Sequence, residues 1–143
     1  MVELTIGEIR DEDVEDVVKL WERCGLTRPW NDPCSDIARA RRGPASSVLV
    51  GRSAGFIAAT AMVGHDGHRG WVYYVAVEPS LQKSGYGRAI MEAAEDWLRQ
   101  QCIPKLQLLV RTDNASARGF YEALGFSVQE VTVHARWIDG GKN

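Results

Sequence analysis

One segment of the 143-residue chain concentrates residue types suited to holding a phosphorylated ligand. The apolar run Trp71 to Val77 is followed by Glu78-Pro79, then by Gln82-Lys83-Ser84-Gly85-Tyr86-Gly87-Arg88, after which the pattern turns helical. Glycine lets a backbone approach a ligand closely. The first-turn amides of a helix, reinforced by its dipole, form an anion site. A nucleotide-like pyrophosphate suits such a strand, loop and helix, with Lys83 and Arg88 adding charge at the rim. Two other phosphate loops fail on detail. A P-loop needs Gly-Lys-Ser/Thr, whereas Gly87 is followed by Arg88-Ala89. A dinucleotide fingerprint needs a small residue three positions after its second glycine, where Ile90 stands. Alone, the segment is also compatible with a glycine-rich turn that holds nothing.

The elements that must position this loop follow from periodicity. Residues 3–10 alternate loosely and read as a strand; Asp11 is the expected cap of a helix carrying Val14, Val17, Val18 and Trp21 at i, i+3, i+4, i+7 and ending at Cys24-Gly25. The stretch Arg28 to Pro33 is expected to break helical structure, with a short helix from Ser35 to Arg42 after it. Strands are expected near 46–52 and 55–64, joined by a tight turn at Arg52 to Gly55. Asp66-Gly67 predicts a type I′ hairpin turn into the central strand Trp71 to Val77. A helix over Gly85 to Gln101, closed by Pro104, precedes a buried strand at Leu106 to Val110. Asn114 or Ser116 caps a last helix with Ala117, Phe120, Tyr121 and Leu124, ended by Gly125; the tail from Phe126 to Ile138 reads as β. The fold class is α/β of the α+β kind, a mixed, mostly antiparallel sheet flanked by helices.

Composition narrows the function classes. A chain that is 45% hydrophobic and 25% charged can bury one core, and its length suits a single domain over 1–143. The longest mostly apolar run, Phe56 to Val63, is far short of the roughly 20 residues a membrane helix needs, and the acidic N-terminus shows no export signal. A cytoplasmic protein without a membrane partner is the expectation. Net charge −2 and a pI near 5.9 lack a nucleic-acid binder's basic footprint; Arg39, Arg41 and Arg42 read as a solvated face. Cys24, Cys34 and Cys102 form no Cys-x-x-Cys pair and read as free thiols. His65 and His68 flank a hairpin, and no metal site is expected.

Two motifs carry a family resemblance. Gln82-x-x-Gly85-x-Gly87 resembles the acyl-CoA loop of the GNAT superfamily of N-acetyltransferases, and Asn114-x-x-Ala117-x-x-Phe120-Tyr121-x-x-Leu124-Gly125-Phe126 resembles its second signature. Leu20 to Cys24 with Arg28 to Pro33, and Asp66 to Gly70, look like a small bacterial branch, the YpeA-type proteins. The resemblance implies acetyl-CoA as co-substrate. Backbone groups of Val75, Ala76 and Val77 would pair with the pantetheine arm, and the amides of Gln82, Lys83, Ser84, Gly85, Tyr86, Gly87 and Arg88 would hold the pyrophosphate. Asn114 and Ala117 would lie near the pantetheine, Tyr121 would face the thioester sulfur as general acid, and the Val75 amide would receive the oxyanion. A phenol suits a departing thiolate, and a fixed donor suits the tetrahedral oxygen.

The general base is not legible. Trp71 and Leu109 stand where two branches of the family carry a Glu, leaving Glu78, His65, Asp66, His68 and Asp32 open. Trp30, Asp32 and Glu78 are candidate acceptor contacts, although Pro29 to Pro33 also reads as a rigid turn. Only 17 residues follow Phe126, so two short strands are expected there, and a homodimer is left open. The function implied is acetyl transfer from acetyl-CoA to a primary amine of a protein or small molecule, by direct attack in a ternary complex. The competing reading is an acyl-CoA sensor with little catalysis.

Overall fold

The computed structural model describes residues 3–140. Its sheet runs β1 (Thr5–Glu8), β2 (Ser46–Ser53), β3 (Phe56–His65), β4 (Gly70–Val77) and β5 (Leu106–Gln107), in that spatial order. The first four strands pair antiparallel and β5 joins β4 in parallel, so the mixed, mostly antiparallel sheet expected from the sequence is present. Helices α1 (Val14–Arg23), α2 (Pro33–Ala40), α3 (Tyr86–Gln100) and α4 (Ala115–Ala123) fill the connections. The chain forms two compact units, one ending at Leu108 and one beginning at Leu109.

In the first unit the central strands are buried on both faces. Val48, Val50 and Ala76 meet Val17, Leu20 and Trp21 of α1 and Ile37 and Ala40 of α2. The alternate residues, Leu49, Ala59, Ala61 and Val63, are buried too, since successive strand side chains point to opposite faces. That second face is the one α3 covers with Ile90, Met91, Ala94 and Leu98. At Gly70 the approach is so close that a Cβ would lie 2.5 Å from a Leu98 methyl.

Several local expectations are corrected. The cap before α1 is not Asp11: a 3-10 turn over Asp11–Asp13 intervenes, and Asp13 accepts from the Arg10 amide at 2.8 Å and from the Arg52 guanidinium. Helix α2 starts at Pro33, ahead of Ser35, because Asp32 caps it and proline is suited to the first helical position, where no N–H is needed. Between β3 and β4 only Gly67 has positive φ, +85°, so Asp66-Gly67 makes no type I′ turn. Asp66 instead caps a four-residue loop by accepting from the His68 and Arg69 amides. The β2–β3 turn does take the tight form, with Ala54 and Gly55 both left-handed.

Helix α3 ends before Pro104 is reached. Cys102 occupies the left-handed position after the cap (φ +62°), and the bonds Cys102 N–H to Arg99 O and Ile103 N–H to Leu98 O, each 3.0 Å, complete a Schellman motif. In the second unit α4 ends the same way on Gly125, with Phe126 N–H bonded to Tyr121 O. The expected strand at Leu106 to Val110 shrinks to two residues, and Phe126 to Ile138 forms no strand. Val131 and Val133 alternate as a strand would, and Val128 lies out of phase with them, yet all three are exposed: alternation supplies a face, and a ladder also needs a partner.

Two outcomes are expected. Burial pushes the Asp13 carboxyl pKa up, but the hydrogen bonds from Arg52 and the Arg10 amide outweigh it and hold the group below the usual carboxylate range. Asp13→Asn should therefore cost about 2 kcal/mol in urea unfolding at pH 7, a difference that closes as pH falls below about 4 toward the folded-state pKa. Cys102→Gly should raise stability by about 1 kcal/mol, because it relieves a left-handed non-glycine residue.

Candidate active site

Strand β4 changes character at its middle. Thr60 pairs with Ala76 and Met62 with Tyr73, so Tyr74 and Val75 together oppose the single residue Ala61. This is a β-bulge, and Tyr74 enters it at φ +52°. On its other edge β4 pairs with β5 only through Gly70–Leu106 and Trp71–Gln107. Beyond Trp71 the two parallel strands no longer share a ladder. From Tyr73 to Val77 that edge of β4 therefore has no ladder partner among the described residues, the condition under which an extended chain can add as a strand.

A buried hydrogen-bonded chain holds the bulge. The Trp21 indole N–H donates to the Thr60 hydroxyl at 2.8 Å, and that hydroxyl donates to the Tyr74 carbonyl at 2.9 Å. The Trp21 and Tyr74 rings stack with centroids 3.8 Å apart and planes 9° from parallel. The Tyr74 hydroxyl reaches α2, donating to Asp36 at 2.7 Å. Burial first, then the Asp36 carboxylate, pushes the Tyr74 pKa far above the ordinary phenol value. Sequence reading missed Thr60, Tyr74 and Asp36, because a bulge inside an unbroken apolar run leaves no mark in the pattern.

The loop starts where β4 ends. Glu78 leads into a 3-10 turn over Pro79–Leu81, and the Ser84 hydroxyl donates back to the Leu81 carbonyl. Lys83 and Gly85 are left-handed, at φ +67° and +90°, and Gly85 is the cap of α3. The Tyr86 side chain turns inward and its hydroxyl lies 2.9 Å from that of Ser53 on β2, both buried. Only its backbone is therefore available to the loop's outer surface. The Gly87 and Arg88 amides lie in the first helical turn and have no acceptor within the helix. Lys83 and Arg88 are exposed, as expected of rim charges.

The two carboxylates among the candidate acceptor residues are already engaged. Glu78 accepts from Arg23 of α1 at 2.6 and 3.1 Å. Beside it the Cys24 thiol donates to Val77 O, and burial, then Glu78, pushes the thiol pKa up. Asp32 caps α2 by accepting from the Cys34 amide at 3.0 Å, and the Ser35 hydroxyl holds its pKa down. Trp30 is 49% exposed. Asp66, whose pKa the Arg69 and His68 amides hold down, sits with His68 in the loop before Gly70, beside His65 at the end of β3. Five residue steps of strand, roughly 15 Å, separate Gly70 from Val75. The structure thus gathers Val75 to Glu78 with Arg23, Cys24, Asp36 and the loop, and leaves Asp66, His65 and His68 at the other end of β4.

In the second unit Asn114 caps α4, its side-chain oxygen accepting from the Ala117 amide at 3.0 Å. Tyr121 is half-buried and meets Phe120 and Phe126 edge-on, at centroid distances of 4.9 and 5.7 Å. Burial raises its pKa to about 12.

This arrangement is the fold of known N-acetyltransferases. Similar solved structures include the ribosomal-protein-S18-alanine N-acetyltransferase from Escherichia coli, 26% identical over 87% of this chain and 78% of that one, with a TM-score of 0.74. The aminoglycoside N-acetyltransferase AAC(6')-Iy in complex with CoA matches at 15% identity, over 96% and 97% of the two chains, with a TM-score of 0.82. Glucosamine-6-phosphate N-acetyltransferase from Arabidopsis thaliana matches at 19%, over 96% and 99%, at 0.71. The chain belongs to the acetyltransferase (GNAT) family, whose model matches residues 8–126 and so runs through both units.

The raised Tyr74 pKa makes a stability prediction. Its neutral form is the one the fold favours, so the contribution is fully present below pH 10 and is lost as pH rises above it. Tyr74→Phe should lower stability by about 1 kcal/mol at pH 7, and its unfolding midpoint should fall less steeply than the wild type's between pH 10 and 11.5.

Proposed function

We propose that the chain transfers the acetyl group of acetyl-CoA to a primary amine by direct attack within a ternary complex. The observation that carries this reading is the bulged, part-unladdered β4 edge running directly into a glycine loop at a helix start. The backbone of Val75, Ala76 and Val77 holds the pantetheine arm, and the amides of the Gln82 to Arg88 loop hold the pyrophosphate. Asn114 and Ala117 flank the arm. A relative of this fold is known in complex with CoA, which supports acetyl-CoA as co-substrate.

In the reaction the amine nitrogen attacks the thioester carbonyl carbon, and the Val75 N–H stabilises the oxyanion. The C–S bond then breaks. Tyr121, with a pKa of about 12, stays protonated at neutral pH and donates a hydrogen bond to sulfur as negative charge develops there. A thiol near 8.5 is the stronger acid, so the proton that finally rests on CoA is the one the attacking nitrogen sheds as it becomes the amide, passed by way of the phenol or water. The acceptor enters beside α1 and α2, where Trp30 offers a cation–π face and Asp32 and Glu78 offer negative charge. The protein works as one cytoplasmic domain akin to the small bacterial branch; relatives of the fold that act on a ribosomal protein and on amino sugars bracket the acceptor classes.

A second reading has one observation in its favour: Glu78, Asp32 and Asp66 are all committed to structural partners, as an acyl-CoA sensor without a general base would allow. Calorimetry with acetyl-CoA and then CoA, followed by an amine panel, separates the two readings. Micromolar binding with turnover supports the enzyme, whereas binding without turnover supports the sensor. Gly85→Glu puts a carboxylate beside the loop amides and should abolish binding in both cases. Tyr121→Phe should lower kcat about 100-fold while keeping acetyl-CoA affinity within about twofold. The wild-type rate should rise with pH as the amine deprotonates, with no alkaline fall below about pH 11.

A further inference from the structure

We propose that Thr60 is a positioning residue that sets the direction of the Val75 amide, an inference resting on the reading of Val75 as the oxyanion donor. The Tyr74 carbonyl and the Val75 N–H belong to one peptide unit, which is planar and trans, so they point in opposite directions. Whatever holds the carbonyl aims the amide. Thr60 donates to that carbonyl at 2.9 Å from a fully buried side chain.

The polarity of the chain has no alternative. An indole N–H is only a donor, so the Thr60 oxygen accepts from Trp21 and its single proton must go to Tyr74 O. Rotating the Tyr74–Val75 peptide would strand that proton in a dry interior and turn the Val75 amide into the core. A left-handed residue at Tyr74, on a bulge with no ladder partner of its own, is where such a rotation would otherwise be easiest. Thr60 thus converts a locally ambiguous peptide into a preorganised donor without touching substrate.

The test is amide NMR of the intact 15N-labelled protein, titrated with CoA and then with acetyl-CoA. In the wild type the Gly87 amide should shift with either ligand. The Val75 amide should move further downfield when acetyl-CoA replaces CoA, because only acetyl-CoA carries a carbonyl oxygen at the sulfur end of the arm. Thr60→Val keeps the side-chain shape and removes the proton; it should retain the Gly87 shift and lose at least half of the Val75 increment. Thr60→Ser should restore that increment. Since Thr60→Val strands the Trp21 N–H, the Trp21→Phe/Thr60→Val double variant, in which no donor is left unpaired, is measured beside it with the same loss expected. A full Val75 increment in either folded variant, or no rescue by Thr60→Ser, overturns the proposal. A wild-type Gly87 amide that ignores both ligands overturns the CoA-loop reading instead. Gly87 shifting without any wild-type Val75 increment removes Val75 as the oxyanion donor, and this proposal with it.

Discussion

An amide meant to receive a ligand must stay out of the sheet ladder, yet a backbone donor left unpaired inside a protein is costly. The bulge in β4 meets both demands, and the structure around it follows from holding it. Placing Tyr74 in the left-handed region costs about 1–2 kcal/mol. Against this stand the Trp21–Tyr74 stack, contributing about 0.5–1.5 kcal/mol, and the buried bonds of the Trp21–Thr60–Tyr74 chain, at about 1 kcal/mol each. The compensation exceeds the strain, so one arrangement persists.

That compensation reaches outward through the helices. Trp21 belongs to α1, whose entry is secured by the Asp13–Arg52 pair and whose end is secured by Leu26 N–H on Trp21 O. Asp36 brings α2 onto the same tyrosine, and Arg23 ties the end of α1 to Glu78, the residue that turns β4 into the loop. The strand proposed to hold the cofactor and the helices proposed to border the acceptor share one buried core. Its carboxylates double as structural parts, which is why no acidic residue there stands out as a dedicated base.

Much of this was legible in the residues. The Gly85 loop, the double signature through Phe126 and the i, i+3, i+4 stripes are local patterns, and local patterns report local geometry. The errors share a cause as well. Pro33 reads as a breaker until Asp32 is seen capping the helix that it opens. Asp66-Gly67 carries a tight-turn preference that a side-chain-capped loop overrides. Cys102 takes a conformation its type disfavours, because the Schellman bonds at the end of α3 demand it. The tail from Phe126 to Ile138 carries two out-of-phase alternating runs, neither of which gains a ladder.

By itself the sequence determined the order of elements as far as α4, the place of the glycine loop and the family, since each rests on residues within a few positions of one another. Tertiary structure alone decided where β4 bulges, which way the Val75 amide faces and that Glu78 is paired with Arg23. The bulge and the amide direction depend on Trp21, Asp36 and Thr60, which are between 14 and 53 positions from the residue at the bulge, Tyr74, and are joined to it only by the packing of helices on the sheet and the pairing of β3 with β4. A hydrogen bond between distant residues has no signature in spacing, because its energy depends on a meeting that the completed fold arranges.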